Sequence, residues 1–265
     1  MLRRLAIATA VGLVAWLGVL LILGYVLGSR QERGTKERLA ESLHATTSIE
    51  TSDLALIRGR WQFEQLAVRR DDAAGHLSID VAQVRCELGP FGWALVDRDC
   101  SELALREMRL EVSSIALFKV SHPKHRPLHT DRLVLDQGVF VFLPTAITPS
   151  LGKLEITIEH AESGPTIMRS PMSWVFSLRE LRAKAVLGDV TLQLTFSRGV
   201  LTVAGSLFAA PVVVPVTLPD ASNAQDAADE TALLAQFGKD VVQQVITQRA
   251  ADWLKAKMNA PPAAP

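Results

Sequence analysis

Residues 190–203 read VTLQLTFSRGVLTV. Val190, Leu192, Leu194 and Phe196 alternate with Thr191, Gln193 and Thr195, the period of a strand with one dry and one wet face. Ser197-Arg198-Gly199 then turns the chain, and Leu201 and Val203 restart the alternation. Two strands joined by so short a turn are predicted to run antiparallel.

The same period extends outward in both directions. Leu54 and Leu56 lead through Arg58-Gly59-Arg60 into Trp61 and Phe63, followed out of phase by Leu66 and Val68. Leu77, Ile79 and Val81 alternate with Ser78 and Asp80. Leu103 and Leu105, then Leu110 and Val112, form a strand whose phase slips near Glu107, the mark of a bulge. Leu133 and Leu135 pass through Gly138 into Val139–Leu143, and Leu154, Ile156 and Ile158 alternate with Glu155, Thr157 and Glu159. Trp174, Phe176 and Leu178 add a strand. Val212, Val214, Val216 and Leu218 close the series, with Pro211 and Pro215 marking an edge. About ten to twelve strands without crossover helices exclude a parallel α/β sheet. The fold class expected for residues 48–218 is mainly β: an antiparallel meander curled over its apolar face into a groove or open barrel.

The flanks differ. Leu5–Leu27 holds 23 consecutive residues without a charge, a helix of about 35 Å and long enough to cross a bilayer. The apolar run exceeds that of a signal peptide and no small-x-small cleavage pattern follows it. Residues 1–28 are therefore expected to be an N-terminal transmembrane helix, a single-pass anchor with Arg3 and Arg4 on the cytoplasmic side and the rest exported. Residues 29–47 read as a juxtamembrane helix and residues 219–228 as a polar linker. Residues 229–258 read as a C-terminal amphipathic helix. Leu234, Phe237, Val241 and Val245 form one stripe, with Val242, Ile246, Ala250, Trp253 and Leu254 beside it. Residues 259–265 read as a disordered tail.

The 265 residues carry 28 basic and 28 acidic side chains, so nothing in the charge balance points to nucleic acid. His122, His125 and His129 share a loop, but prolines at 123 and 127 forbid a helix that would align them, and Lys124 and Arg126 repel a cation. No metal site and no cofactor are expected. G-x-S-x-G, Walker, G-x-G-x-x-G and H-E-x-x-H motifs are absent. Asp71/Asp72 and Asp97/Asp99 lie in turn-like stretches, where Asp bonds its own backbone. These readings give a protein that is not an enzyme. Cys86 and Cys100 flank a loop with Gly89, Pro90 and Gly92. In an exported domain they either form a disulfide or remain two buried thiols.

The anchor, the short helix and a meander opening SIETSDLALIRGRWQFEQLAVRR (48–70) resemble the AsmA-like family of bacterial envelope proteins. LSIDVAQVRCELGPFGWALVDRDCSELALREMRLEV (77–112), FVFLPTAITPSLGKLEITIEHAESG (140–164) and RGVLTVAGSLFAAPVVVPVTLP (198–219) fit the same style. The resemblance covers residues 1–218, rests on hydrophobic periods, and carries no catalytic residues. It implies a β-groove related to bridge-type lipid carriers, in an inner-membrane protein whose periplasmic domain handles phospholipid or another acyl-chain lipid, or supports envelope biogenesis. The expected apolar wall is Leu77, Ile79, Val81, Leu133, Leu135, Ile156, Ile158, Leu192, Leu194 and Phe196. About a dozen strands make a groove of about 50 Å, too short to span a periplasm without partners or stacking. The inner-membrane N component of type II secretion is similar in design. That likeness implies instead a structural subunit, binding other envelope proteins through the β-face or residues 229–258.

Overall fold

The structure, a computed structural model, describes residues 23, 26–41, 43–56, 58–73, 75–89, 99–113, 128–143, 153–169, 172–208, 210–222, 224 and 227–258. Side chains are described for all of these except 227, 228, 231 and 250–258. A helix α1 (residues 26–41) precedes an open, mixed sheet of eleven strands. β1 (Thr46–Ser48) and β2 (Thr51–Ala55) both pair with β3 (Arg60–Asp72). The order then runs through β4 (Gly75–Glu87), β5 (Glu102–Val112), β7 (Leu133–Phe142), β8 (Leu154–Ser163), β10 (Leu178–Leu187), β11 (Val190–Ser197), β12 (Val200–Gly205) and β13 (Val212–Pro215). Among the described residues, a second sheet holds β6 (Leu128–Thr130) and β9 (Thr166–Met168), and the last element is α2 (Ala227–Met258).

The meander is not wholly antiparallel. β5 and β7 run parallel, with Leu103 opposite Leu133 and Val112 opposite Phe142. Twenty residues, 113–132, separate the two strands. Fully extended, twenty residues span about 65 Å, well beyond the length of β5 and ample for a return to its starting end. Trp174, Phe176 and Leu178 do not form a strand of their own. Residues Ser173–Ser177 form a 3-10 turn, and the strand is β10, which starts at Leu178. α2 begins at Ala227, two residues before the expected start.

The phase slips have one common cause. Gln65, Glu107 and Gln137 have left-handed backbones, with φ of 53°, 51° and 60°. An αL residue displaces the alternation by one, which is why Phe63 and Leu66, or Leu135 and Gly138, share a face. The pairing sets these residues in one line across the sheet. Gln65 lies opposite Ala82 between the pairs Glu64↔Gln83 and Leu66↔Val81. Ala82 lies opposite Glu107, Glu107 beside Gln137, and Gln137 opposite Glu159. Register on both sides is unbroken, so Glu107 makes no mismatch with its neighbours as a bulge would. β10 carries no such slip, and the β8–β10 ladder shifts between Arg182 and Ala183, leaving Glu159 as the extra residue. The crease crosses five strands and ends there in a β-bulge.

A second break bends the small sheet away. Thr130↔Thr166 continues the register of Leu133↔Ser163, and the Cys100↔Thr130 bridge continues Leu103↔Leu133. β6 and β9 are thus the ends of the β7 and β8 ladder, folded off at Asp131–Arg132 and Gly164–Pro165.

Candidate functional site

Paired residues in a ladder share a face. Ile79↔Leu110, Leu110↔Phe140, Phe140↔Ile156, Ile156↔Ala185 and Ala185↔Leu192 form one such row. Leu105↔Leu135, Leu135↔Ala161, Ala161↔Leu181 and Leu181↔Phe196 form another on the far side of the crease. The two rows reach the same side of β11, at Leu192 and Phe196. One apolar face therefore runs uninterrupted from β3 to β13.

The ten residues expected to wall a groove all lie on this face. Leu77, Ile79, Val81, Leu133, Leu135, Ile158 and Phe196 are buried in a single core cluster, Ile156 and Leu194 are half-buried against it, and Leu192 is half-buried. The half-buried three sit together, since Ile156 faces Ala185, which faces Leu192, and Ala183 faces Leu194. The neighbouring row, Leu154↔Leu187↔Val190, is half-buried as well. The β8–β10–β11 corner is one part of the face left incompletely covered; beyond the crease Val84, Leu105, Leu181 and Leu201 are half-buried as well.

Other parts of the face are covered by segments outside the large sheet. Leu39 and Leu43 pack from the helix end, and Arg70 donates from Nη1 to the Leu43 carbonyl at 3.2 Å. The excursion between β8 and β10 lies across the centre as a strap. Trp174 sits 6.3 Å from the Phe140 ring, and its carbonyl accepts the Ser163 hydroxyl at 2.8 Å. Met168, Met172 and Val175 join it. Phe237, Val241 and Val245 of α2 pack onto the same core, with Val212 and Val214 of β13. That stripe was legible in the sequence. The adjoining stripe faces outward, with Val242 and Ile246 58% and 63% exposed.

The opposite face is wet. Arg60, Glu87, Arg85, Glu102, Arg132 and Glu162 form a continuous chain of ion pairs across it at 2.7–3.4 Å. The cross-strand neighbours Glu87 and Glu102 carry like charge, which the three arginines offset. The Arg132 hydrogen bond, against the opposing cost of burial, holds the Glu162 carboxyl below the usual carboxylate range. His160 Nδ1 meets Asp136 Oδ1 at 2.7 Å on this face, near the crease. Nothing in the sequence distinguished this pair, because its partners lie 24 residues apart.

Cys86 and Cys100 form a disulfide, with Cα atoms 5.3 Å apart. Among the described residues, no group of three His, Cys, Asp or Glu could hold a metal. His122 and His125 lie outside the described residues. Among the described residues no helix is long and apolar enough to cross a membrane, and the anchor expected at 1–28 lies almost wholly outside them. No family model, no curated protein and no solved structure matches the chain.

Proposed function

We propose that this chain is an inner-membrane-anchored envelope protein of AsmA-like design, whose periplasmic β-domain handles phospholipid. One observation carries the reading: a continuous apolar face on an open sheet is left half-covered at Ile156, Leu192 and Leu194. An acyl chain lying along that corner would bury these side chains at about 25 cal/mol per Å2 of apolar surface, while its headgroup stayed in water. The address is supported by the uncharged run at Leu5–Leu27 and by the disulfide, which persists in an oxidising compartment. The family assignment rests on the sequence pattern alone.

The second reading, a scaffold subunit akin to the type II secretion N component, is favoured by a different observation. Seven of the ten wall residues are already buried in the chain's own core. In that case α2 and its outward stripe bind protein.

The test uses a photoreactive benzophenone side chain in the full-length protein, in bacterial membranes. Placed at Leu192 it should cross-link to phospholipid, whereas at Gln193, on the wet face, it should not. Equal yields at both positions, or cross-links from Leu192 to protein alone, would overturn lipid handling in favour of the scaffold.

A further inference from the structure

The covers of the apolar face come from distant parts of the chain, and a buried polar contact joins two of them. Glu230, in the first turn of α2, is 1% exposed. The Ser173 hydroxyl donates to its Oε2 at 2.7 Å, and Arg169 Nη1 stands 3.6 Å from its Oε1. Ser173 Oγ in turn accepts the Arg169 backbone N–H at 3.0 Å. Arg169 and Ser173 belong to the strap, so this triad ties the strap to the start of α2 across 57 residues of sequence.

Beyond that turn, Phe237, Val241 and Val245 of α2 pack on the core. Gly238 stands between them with no neighbour within 4 Å of where a Cβ would be, and a glycine weakens a helix interior. A buried ion pair adds little net stability, because desolvation offsets its Coulomb gain, yet it discriminates strongly between arrangements that keep and lose its partners.

We infer that Arg169, Ser173 and Glu230 form a latch joining the strap and α2 into one lid, and that the opening of this lid exposes the apolar face to a phospholipid acyl chain. The acyl-chain half of this inference rests on the lipid reading above. The latch half rests on the contact alone. Closed, the lid lowers apparent lipid affinity in proportion to the small open fraction.

Hydrogen exchange on the full-length protein in phospholipid nanodiscs tests the latch. Residues 172–177 and 232–249 should exchange as one cooperative unit, faster than β4, β5 and β7. Ser173→Ala removes the hydroxyl that donates to Glu230 and accepts the Arg169 N–H, and should speed both segments together by at least about tenfold, leaving those strands unchanged. Ser173→Thr, which keeps the hydroxyl, should behave as wild type. Different exchange rates for the two segments, or protection of α2 equal to that of β5, would overturn the latch. Both are read on the wild-type chain, even if Ser173→Ala does not fold. The benzophenone at Leu192 supplies the second arm, with phospholipid cross-linking expected to rise about tenfold in Ser173→Ala. Coupled exchange without any lipid cross-link would overturn the acyl-chain half and the lipid reading while the latch stands. Lipid cross-linking without coupled exchange would overturn the latch and leave the lipid reading intact.

Discussion

Gln137 illustrates what one backbone angle decides. A non-glycine residue at φ 60° is strained, and three such residues stand in one line across the sheet. Gln137→Gly should therefore stabilise the fold by about 0.5–1 kcal/mol, whereas Gln137→Val, β-branched, should cost about 1–2 kcal/mol. Urea midpoints at unchanged m-value would check both. Glycines separate by a related argument. At Gly59, φ +63°, a Cβ would stand 1.6 Å from the Gly89 carbonyl oxygen, while at Gly188, φ +57°, nothing lies within 4 Å. Gly59→Ala should cost at least about 3 kcal/mol and Gly188→Ala about 1 kcal/mol in the same titration. The displaced phase at Leu66 and at Glu107 was readable in the sequence, because apolar spacing reports an extra residue in a strand. That these slips share one line was not readable, since alignment is a property of pairing.

At the level of the element, β10 shows where periodicity falls short. Leu181, Ala183, Ala185 and Leu187 alternate with Arg182, Lys184 and Val186, yet alanine, arginine and lysine favour helices, and the strand goes unrecognised. Its register supplies the reason for the alanines. Ala183 and Ala185 are flanked on both sides by large residues, Ile158 and Leu194 in one row and Ile156 and Leu192 in the next. The disulfide is also an element-level device. It joins the end of β4 to the entry of β5 where the small sheet folds away, closing a loop with a sequence separation of 14. Replacing both cysteines by alanine should cost about 3 kcal/mol of unfolding free energy, lost equally on reduction of the wild type. The spacing left a bridge and two buried thiols both open. The structure decides between them, because the β4–β5 register and the Cys100↔Thr130 bridge bring the two Cα atoms together.

Across the whole molecule, charge is arranged on one face of the sheet and apolar surface on the other. The ion-pair chain has a pH signature. With the folded-state pKa of Glu162 lowered, its contribution is present above the unfolded carboxylate value, about 4.3, and is lost as pH falls through the lower folded value. Its side chain is 22% exposed and that of Arg132 45%, so solvent screening keeps the contribution below about 1 kcal/mol. The melting-temperature difference between wild type and Glu162→Gln should be measurable at pH 7 and shrink progressively as pH falls from the unfolded carboxylate value through the lower folded one. The sequence by itself determined the class of the fold, most strand positions, the α2 stripes and the membership of the apolar wall. These follow from local alternation between water-seeking and water-avoiding side chains, which each segment carries independently of its partners. Tertiary structure alone decided the parallel β5–β7 pair, the aligned crease, the ion-pair chain, the strap and the Arg169–Ser173–Glu230 contact. Each depends on which distant residues are brought into register, and periodicity within one segment carries no information about the identity of its neighbours.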